Sequence, residues 1–396
     1  IDRAGLIVKG RENVLLQSNN FSNASWVKIR SSVSSGATDP FGGSNAWAFL
    51  TDTTADDQHY FSQSIAQSGV GTLSIYAKAN GYNWLRLRLP SEEAFFDLAN
   101  GVTGSSTTGI SASMTNAGNG WYRCQVAIAN MSTNPNVFIH IAEGDGDIII
   151  GGTPSGTDGL YIYASQLEKG LAASPYIPTT TTSAQAGVLE NTPRLNYTTG
   201  VANPYLLLEP SRTNLITQSE YFGSADWAGS GGVVVNTAIS PSGYQDADTG
   251  NNIYTSTGVG DATTLHANSI FAKANPSGSS ILLLRVNRYG SGVDYNECTF
   301  NLSNGTASAV TTGGTASSAS AEIEDYGNGW YRCILTGIAS TTAGVISFNP
   351  QNNCFIWGAQ VEAGSYPTSY IPTYSVSATR AADVCNKLDA SDLIGT

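Results

Sequence analysis

Positive charge is scarce. The 396-residue chain sets 18 Lys and Arg against 30 Asp and Glu, a net charge of −12, with a pI near 4.6. No basic stripe is available to neutralise phosphates, so nucleic acid and anionic membrane surfaces are poor partners and neutral ligands suit the chain better. Charged residues of both signs make up only 12%, against a usual quarter. Cysteine is equally uninformative as a framework: five residues, an odd number, stand at 124, 298, 333, 354 and 385, without CxxC spacing and away from His59, His140 and His266. Neither a disulfide scaffold nor a metal site is expected, and no cofactor. No apolar run approaches the roughly 18 residues that span a bilayer, so membrane insertion is not expected, and no stretch reads as a signal peptide. Helical periodicity is nearly missing as well.

Short alternating or apolar runs bounded by Gly, Asn, Ser and Pro fill the chain instead, and 43 Gly supply the turns. That is the strand signal. It predicts strands over Leu73–Lys78, Trp84–Leu89, Tyr122–Ala129, Val137–Ala142 and Leu160–Leu167, and again over Ser269–Ala274, Ile281–Val286, Tyr331–Ile338, Val345–Phe348 and Phe355–Val361. Many short strands joined by regular turns mean an all-β sandwich.

The chain is written twice. Gly118-Asn119-Gly120-Trp121-Tyr122-Arg123-Cys124 returns as Gly327-Asn328-Gly329-Trp330-Tyr331-Arg332-Cys333, in a sequence with only 7 Trp and 5 Cys. Four further blocks recur in the same order. Asn13, Gln17, Ser18, Phe21 and Trp26 match Asn214, Gln218, Ser219, Phe222 and Trp227 without a gap; Tyr76–Asn80 matches Phe271–Asn275; Phe96, Leu98, Asn100 and Gly101 match Phe300, Leu302, Asn304 and Gly305. The last block runs Tyr161–Gly170 with Tyr176–Thr179, against Phe355–Gly364 with Tyr370–Thr373. An internal duplication follows. It divides the chain into a first domain at 1–178, a linker at 179–205, a second domain at 206–374 and a tail at 375–396. Residues shared by the copies, among them Trp26/Trp227, Trp121/Trp330 and Tyr163/Trp357, are assigned to architecture, with Cys124 and Cys333 as small buried thiols.

Function is sought among what the copies do not share. In Trp84-Leu85-Arg86-Leu87-Arg88-Leu89 a period of two sends Leu85, Leu87 and Leu89 to the core and gathers Trp84, Arg86 and Arg88 on the opposite face. A ring beside guanidinium groups can stack a pyranose and donate to its hydroxyls; packing of Trp84 under a loop or against the other domain is the competing structural reading. Tyr82, Phe95, Glu92 and Glu93 lie nearby in sequence, and the second copy is expected to offer Leu283, Arg285 and Asn287 there, without the ring. Trp47 to Tyr60 is a second unshared patch, with Asp52, Asp56, Asp57 and His59; Trp47 and Tyr60 join the candidate ligand residues. Its acids, like Glu143, Asp145 and Asp147 before an expected Ile148–Ile150 strand, lack EF-hand spacing and read as turn residues. Catalysis has little support: Glu92, Glu93, Glu322, Glu324 and Asp325 are the available carboxylates, and no nucleophile or phosphate motif accompanies them.

Taken together, the Asn-Val-Leu-Leu and Asn-Leu-Ile openings, Tyr/Phe-Ala-Lys-Ala, Gly-Asn-Gly-Trp-Tyr-Arg-Cys, Trp-Gly-Ala-Gln-Val-Glu-Ala-Gly and Ser-Tyr-Ile-Pro-Thr resemble domains of tailed-bacteriophage structural proteins: head spikes, tail fibres and carbohydrate-binding modules of the galactose-binding type. Pro193–Tyr197, Leu207–Asn214 and Ala378–Val384 resemble their connecting phrases, and Leu388–Thr396 the opening of a further domain. The resemblance implies two tandem jelly-roll β-sandwiches in a virion-surface protein assembled in the host cytoplasm. Its expected partners are other virion structural proteins, a host cell-surface glycan, and further copies of itself in an oligomer such as a trimer. It transfers no catalytic residue. The expectation is therefore a weak glycan-binding fibre component, with a ligand-free spacer as the alternative and a glycan depolymerase behind both.

Overall fold

The computed structural model describes all residues except 1, 3, 5, 90, 132–134, 190–193, 198–203, 230–231 and 385–396. Cys385 and Leu388–Thr396 therefore lie outside the described residues. The fold is all-β and consists of two jelly-roll sandwiches in tandem. One compact unit is Gly10–Leu189, the first unit below; the other combines Glu190–Thr396 with Ile1–Lys9.

The first unit packs two six-stranded antiparallel sheets face to face. In the sheet called here the platform, the strands run in the order Val27–Ile29, His59–Ser64, Asn136–Ala142, Trp84–Arg88, Glu93–Asp97 and Val102–Ser106. In the other, the frame sheet, the order is Ile110–Gly118, Trp121–Met131, Gly69–Asn80, Gly159–Glu168, Ala46–Thr51 and Ser31–Ala37. Alternation builds the core between them. Leu85, Leu87, Val137, Ile139 and Phe96 come from the platform, and Leu73, Ile75, Val126, Leu160 and Ile162 from the frame, all buried. Each such side chain contributes about 1.5–3 kcal/mol on leaving water, enough to fix which face of a strand turns inward.

The second unit repeats the plan. Its frame sheet runs Val233–Ala238, Ala247–Gly250, Cys354–Ala363, His266–Lys273, Trp330–Ile338 and Ser317–Asp325. Facing it are Thr306–Ala307, Tyr295–Asn301, Ile281–Arg288 and Ile346–Gln351, while Trp227–Gly229 pairs separately with Ile253–Thr255.

The shared residues make one hydrogen-bonded frame in each copy. Asn13 Nδ2 donates to the carbonyls of Ser165 and Ile177 while its Oδ1 accepts from Leu15 N and Leu167 N. Asn214 does the same with Ala359, Ile371, Ile216 and Val361. Ser18 Oγ meets Tyr176 OH at 2.6 Å, and Ser219 Oγ meets Tyr370 OH at 2.7 Å. Glu168 accepts from Ser174 N and Oγ, and Glu362 from Thr368 N and Oγ1. Gln166 and Gln360 accept from Ile177 N and Ile371 N. The repeated Gln-x-Glu and Tyr-Ile-Pro-Thr phrases thus exist to tie the returning chain to the opening strand, satisfying polar groups that burial would otherwise penalise. In Gly-Asn-Gly-Trp, φ is positive at all three leading residues in both copies, 87°, 53° and 78° at 118–120 and 78°, 53° and 78° at 327–329. Gly and Asn are the residues that tolerate such a hairpin turn, and the Trp that follows is buried.

All ten expected strands are present with ends shifted by up to four residues, and Cys124 and Cys333 are buried thiols. Several expectations change. Ile148–Ile150 is not a strand: Ile148 and Ile149 are exposed and only Ile150 forms a bridge, to Asp57. The stretch expected to begin the linker is partly built into the first unit, since Thr179 N donates to Ser18 Oγ and Ala184–Ala186 pairs with Arg11–Asn13. Ala378–Arg380, expected in the tail, pairs with Arg212–Asn214, and Arg194, Glu209, Arg380 and Asp383 form an ion-pair network beside it. Ile1–Lys9 groups with the second unit because Ile7 N donates to Pro241 O and buried Lys9 bonds Glu220 at 2.7 Å.

Candidate functional site: the platform face of the first unit

Antiparallel register decides which side chains meet on the outer face of the platform. Along Trp84–Arg88 the outward residues are Trp84, Arg86 and Arg88, as their spacing predicts, with Leu85 and Leu87 in the core. On one side they stand opposite Asp97, Phe95 and Glu93; on the other, opposite Ala142, His140 and Phe138. One strand further, His140 pairs with Tyr60 and Phe138 with Ser62. Tyr60 therefore joins the Trp84 strand's face across a single intervening strand.

The groups interlock. Arg86 donates Nε and Nη2 to Glu93 Oε2 at 2.8 and 2.5 Å, and its guanidinium carbon lies 5.8 Å from the Phe95 ring centre. Arg88 lies 5.0 Å over the Phe138 ring. Tyr60, Phe138 and His140 form an aromatic triangle, with Tyr60–His140 at 4.7 Å and Tyr60–Phe138 at 5.6 Å. Burial, and then the charges of Arg86 and Arg88, push the His140 imidazole well below its ordinary pKa, so it stands neutral at pH 7. Trp84, Tyr60, Phe138 and Arg88 stay partly open to solvent. Gly104 leaves the room Trp84 needs: a Cβ there would stand 2.7 Å from the indole Cζ3. Asp145, which accepts from Ser105 N and Oγ, closes that end.

The remaining candidates are elsewhere. Trp47 is on the frame sheet, paired with Ile162; it packs on Phe21 and donates Nε1 to Asn19 O at 2.8 Å, so it does not share a face with Trp84. Tyr82 packs against the core in the turn before Trp84, and burial, Glu143 and Asp158 raise its pKa. His59 points inward and contacts Arg30 O at 2.5 Å. Asp52 accepts from Thr54 N as a turn cap, while Asp56 and Glu143 accept from Gly152 N and Gly151 N and tie loop segments together. Among the described residues no three His, Cys, Asp or Glu side chains gather as a metal site. Glu322 and Glu324 lie on the edge strand Ser317–Asp325 of the second unit, far in sequence from the platform acids. Phe138, His140 and Phe95 complete the face; Phe138 and His140 were legible only as the outward positions of Val137–Ala142.

Register also corrects the match between copies. Leu85 pairs with Phe96 and Leu282 with Phe300, and the bond from Leu98 N to Asn83 O recurs from Leu302 N to Ser280 O. Trp84, Arg86 and Arg88 therefore match Ile281, Leu283 and Arg285, two residues earlier than the expected Leu283, Arg285 and Asn287. By the same register Phe138 and His140 match Asn349 and Gln351. Of the matched positions only the cation at 88/285 and the acid opposite it, Glu93/Glu297, are common; the second unit has no ring where Trp84, Phe95, Phe138 and His140 stand, but carries Tyr295 on the same face, 3.9 Å from Arg285.

The molecule is thus a pair of jelly-roll sandwiches, one of which carries an aromatic and arginine-lined sheet face. No family model matches the chain, and no curated protein is significantly similar to it. Among solved structures it is similar to the N-terminal CBM22-1–CBM22-2 tandem domain of Xyn10C from Paenibacillus barcinonensis. The likeness has 10% identity over 89% of this chain and 97% of that one, and a TM-score of 0.27, too slight to bear on fold or ligand.

Proposed function

We propose that this chain is a virion-surface component of a tailed bacteriophage, a tail-fibre or head-fibre segment, that binds host-surface glycans through the platform face of its first unit without turning them over. The observation that carries the binding is the set of Tyr60, Phe138 and Trp84 beside Arg86 and Arg88 on one sheet face. Rings take the apolar face of a pyranose and fixed N–H groups take its hydroxyls. The virion assignment is supported by the repeated phrases of the sequence, which form the hydrogen-bonded frame of both units. Assembly in the host cytoplasm, a partner set of other virion proteins and an oligomeric fibre belong to the same reading. Multiple copies on one particle convert a weak site into useful attachment.

The test is binding of the labelled chain, free and clustered on beads, to intact host bacteria and to cells stripped of surface polysaccharide, with Trp84→Ala alongside. Binding that needs the polysaccharide and weakens with the substitution supports the reading. If the clustered protein ignores both kinds of cell, glycan attachment by this segment is wrong and a spacer role takes its place.

A further inference from the structure

Among the described residues, two buried donors in the platform face have nothing to donate to. Arg86 is 4% exposed, and while Nε and Nη2 serve Glu93, Nη1 has no hydrogen-bond partner. His140, directly opposite on the next strand and 1% exposed, has neither ring nitrogen partnered. Buried polar groups are almost always satisfied, and exceptions need an occupant or a reason. These two face each other beneath partly open rings, where a sugar would lie.

We infer that the Arg86–His140 pair receives a carboxylate of the bound glycan, so that the first unit selects acidic sugars of the hexuronic acid type over neutral ones. This rests on the glycan-binding reading above. A neutral hydroxyl could accept from either group, but a carboxylate gains a charge-assisted bond from the guanidinium and has a second oxygen for the imidazole. The local charge suits it. Facing His140 are Arg86 and Arg88 from the strand on one side and Tyr60 from the strand on the other, with Glu93 on the far side of Arg86. Both charges that bear on the imidazole are cations; Glu93, the carboxylate paired with Arg86, comes from the strand on the other side of that arginine. The chain's net charge of −12 acts against an anion only through a screening length of about 8 Å at physiological salt, so the two guanidinium groups at contact distance decide. In the second unit the matched pair is Leu283 and Gln351, which offers no cation.

The experiment is calorimetric titration of the intact chain with an oligogalacturonate, with the same oligosaccharide fully methyl-esterified, and with a sulfated neutral oligosaccharide, each at pH 6 and pH 8. The expected result is at least tenfold tighter binding of the oligogalacturonate than of its ester at both pH values, with that preference reduced in His140→Gln. Arg86→Gln should bring the acid down to the level of the ester. Equal affinity for acid and ester in the unaltered protein overturns the inference while leaving glycan binding intact. Preference for the sulfated sugar over the uronate overturns the choice of carboxylate. No binding of any of the three, even to clustered protein, sinks the underlying reading as well. Because the ester comparison needs no substitution, a variant that fails to fold does not spoil the test.

Discussion

Asn19, Asn45 and Trp47 in the first unit occupy the positions held by Glu220, Asp246 and Asp248 in the second, a match fixed by the gapless opening block and by the pairing of Trp47 with Ile162 and of Asp248 with Ile356. The first set is neutral and closes on itself: Trp47 Nε1 donates to Asn19 O, Asn19 Nδ2 to Asn45 O, and Ala164 N to Asn19 Oδ1. The second set buries three carboxyl groups. Lys9 is brought in to meet them, 2.7 Å from Glu220 and 3.8 Å from Asp246, with its ammonium 5.0 Å from the Trp357 ring centre. One backbone frame therefore supports either a self-satisfied amide cluster or a charged one that depends on a segment nine residues from the start of the chain. The lesson is that the duplicated phrases set the frame, and the unshared positions inside it have been free to take opposite chemistry.

The largest expected consequence is a difference in pH response. Asp248 has its pKa raised from 3.8 to about 8, chiefly by burial, against two backbone donors, Phe222 N and Asn236 N, and with Asp246 and Glu220 adding to the rise. Between those values the unfolded chain has lost the proton that the folded chain keeps. The second unit should therefore lose stability by roughly 1.4 kcal/mol per pH unit as pH rises from about 4 to about 8, on the order of 5 kcal/mol in all, and level off above. Trp47 gives the first unit no counterpart. Denaturant melts of the whole chain at several pH values check it: parallel pH profiles for the two transitions would break the comparison, and Asp248→Asn should flatten the steeper one.

Next is the lysine itself. Removing one partner of a buried ion pair leaves the other charge uncompensated, which costs about 3–5 kcal/mol. Lys9→Met should lower the second unit's transition by that amount and leave the first untouched, and Glu220→Gln added to it should recover a good part of the loss. A second transition that does not move would mean Lys9 is not the cation this cluster requires.

Smaller, and equal in both units, is the effect of cutting the shared frame. Asn13→Ala and Asn214→Ala each strand two carbonyls and two N–H groups that the amide now serves. A loss of about 2–3 kcal/mol is expected in the unit that carries the substitution. Clearly unequal losses, measured by the same melts, would show that the frame is not equivalent in the two copies.

How much of this was legible beforehand follows from what sequence periodicity encodes. Alternation told that Leu85 and Leu87 turn inward and Trp84, Arg86 and Arg88 outward, because a strand's period is two whatever its neighbours. It could not tell which strands lie beside that one. Trp47 and Tyr60 are equally aromatic and close in sequence, yet they fall on opposite sheets, since sheet membership is set by long-range pairing. His140 and Phe138 were hidden for the same reason: their strand reads as a core segment, and their meeting with Arg86 and Arg88 is a matter of register. The two-residue shift in matching Arg88 to Arg285 arose because the loop between the paired strands is longer in the second copy, where 285 to 297 replaces 88 to 93. A serine-rich strand such as Ser31–Ala37, with Val33 its one large apolar residue, carries little apolar signal and sits at a sheet edge, where such a sequence is tolerated.

The platform faces offer the finest comparison. If the rings hold the ligand, replacing Phe138 by the residue at its matched position, Phe138→Asn, removes one stacking surface, worth about 1 kcal/mol, and should weaken glycan binding about fivefold. Stability should change little, because Phe138 faces outward, packed on Tyr60 and Arg88 rather than in the core. The reciprocal Asn349→Phe should give the second unit no affinity, since Leu283 and Gln351 stand where Arg86 and His140 offer their unpartnered nitrogens, even though Arg285 and Tyr295 lie on the same face. Binding gained by the second unit from that one ring would show that an aromatic surface alone suffices. The arginine and histidine of the first unit would then be supports of its fold rather than of its recognition.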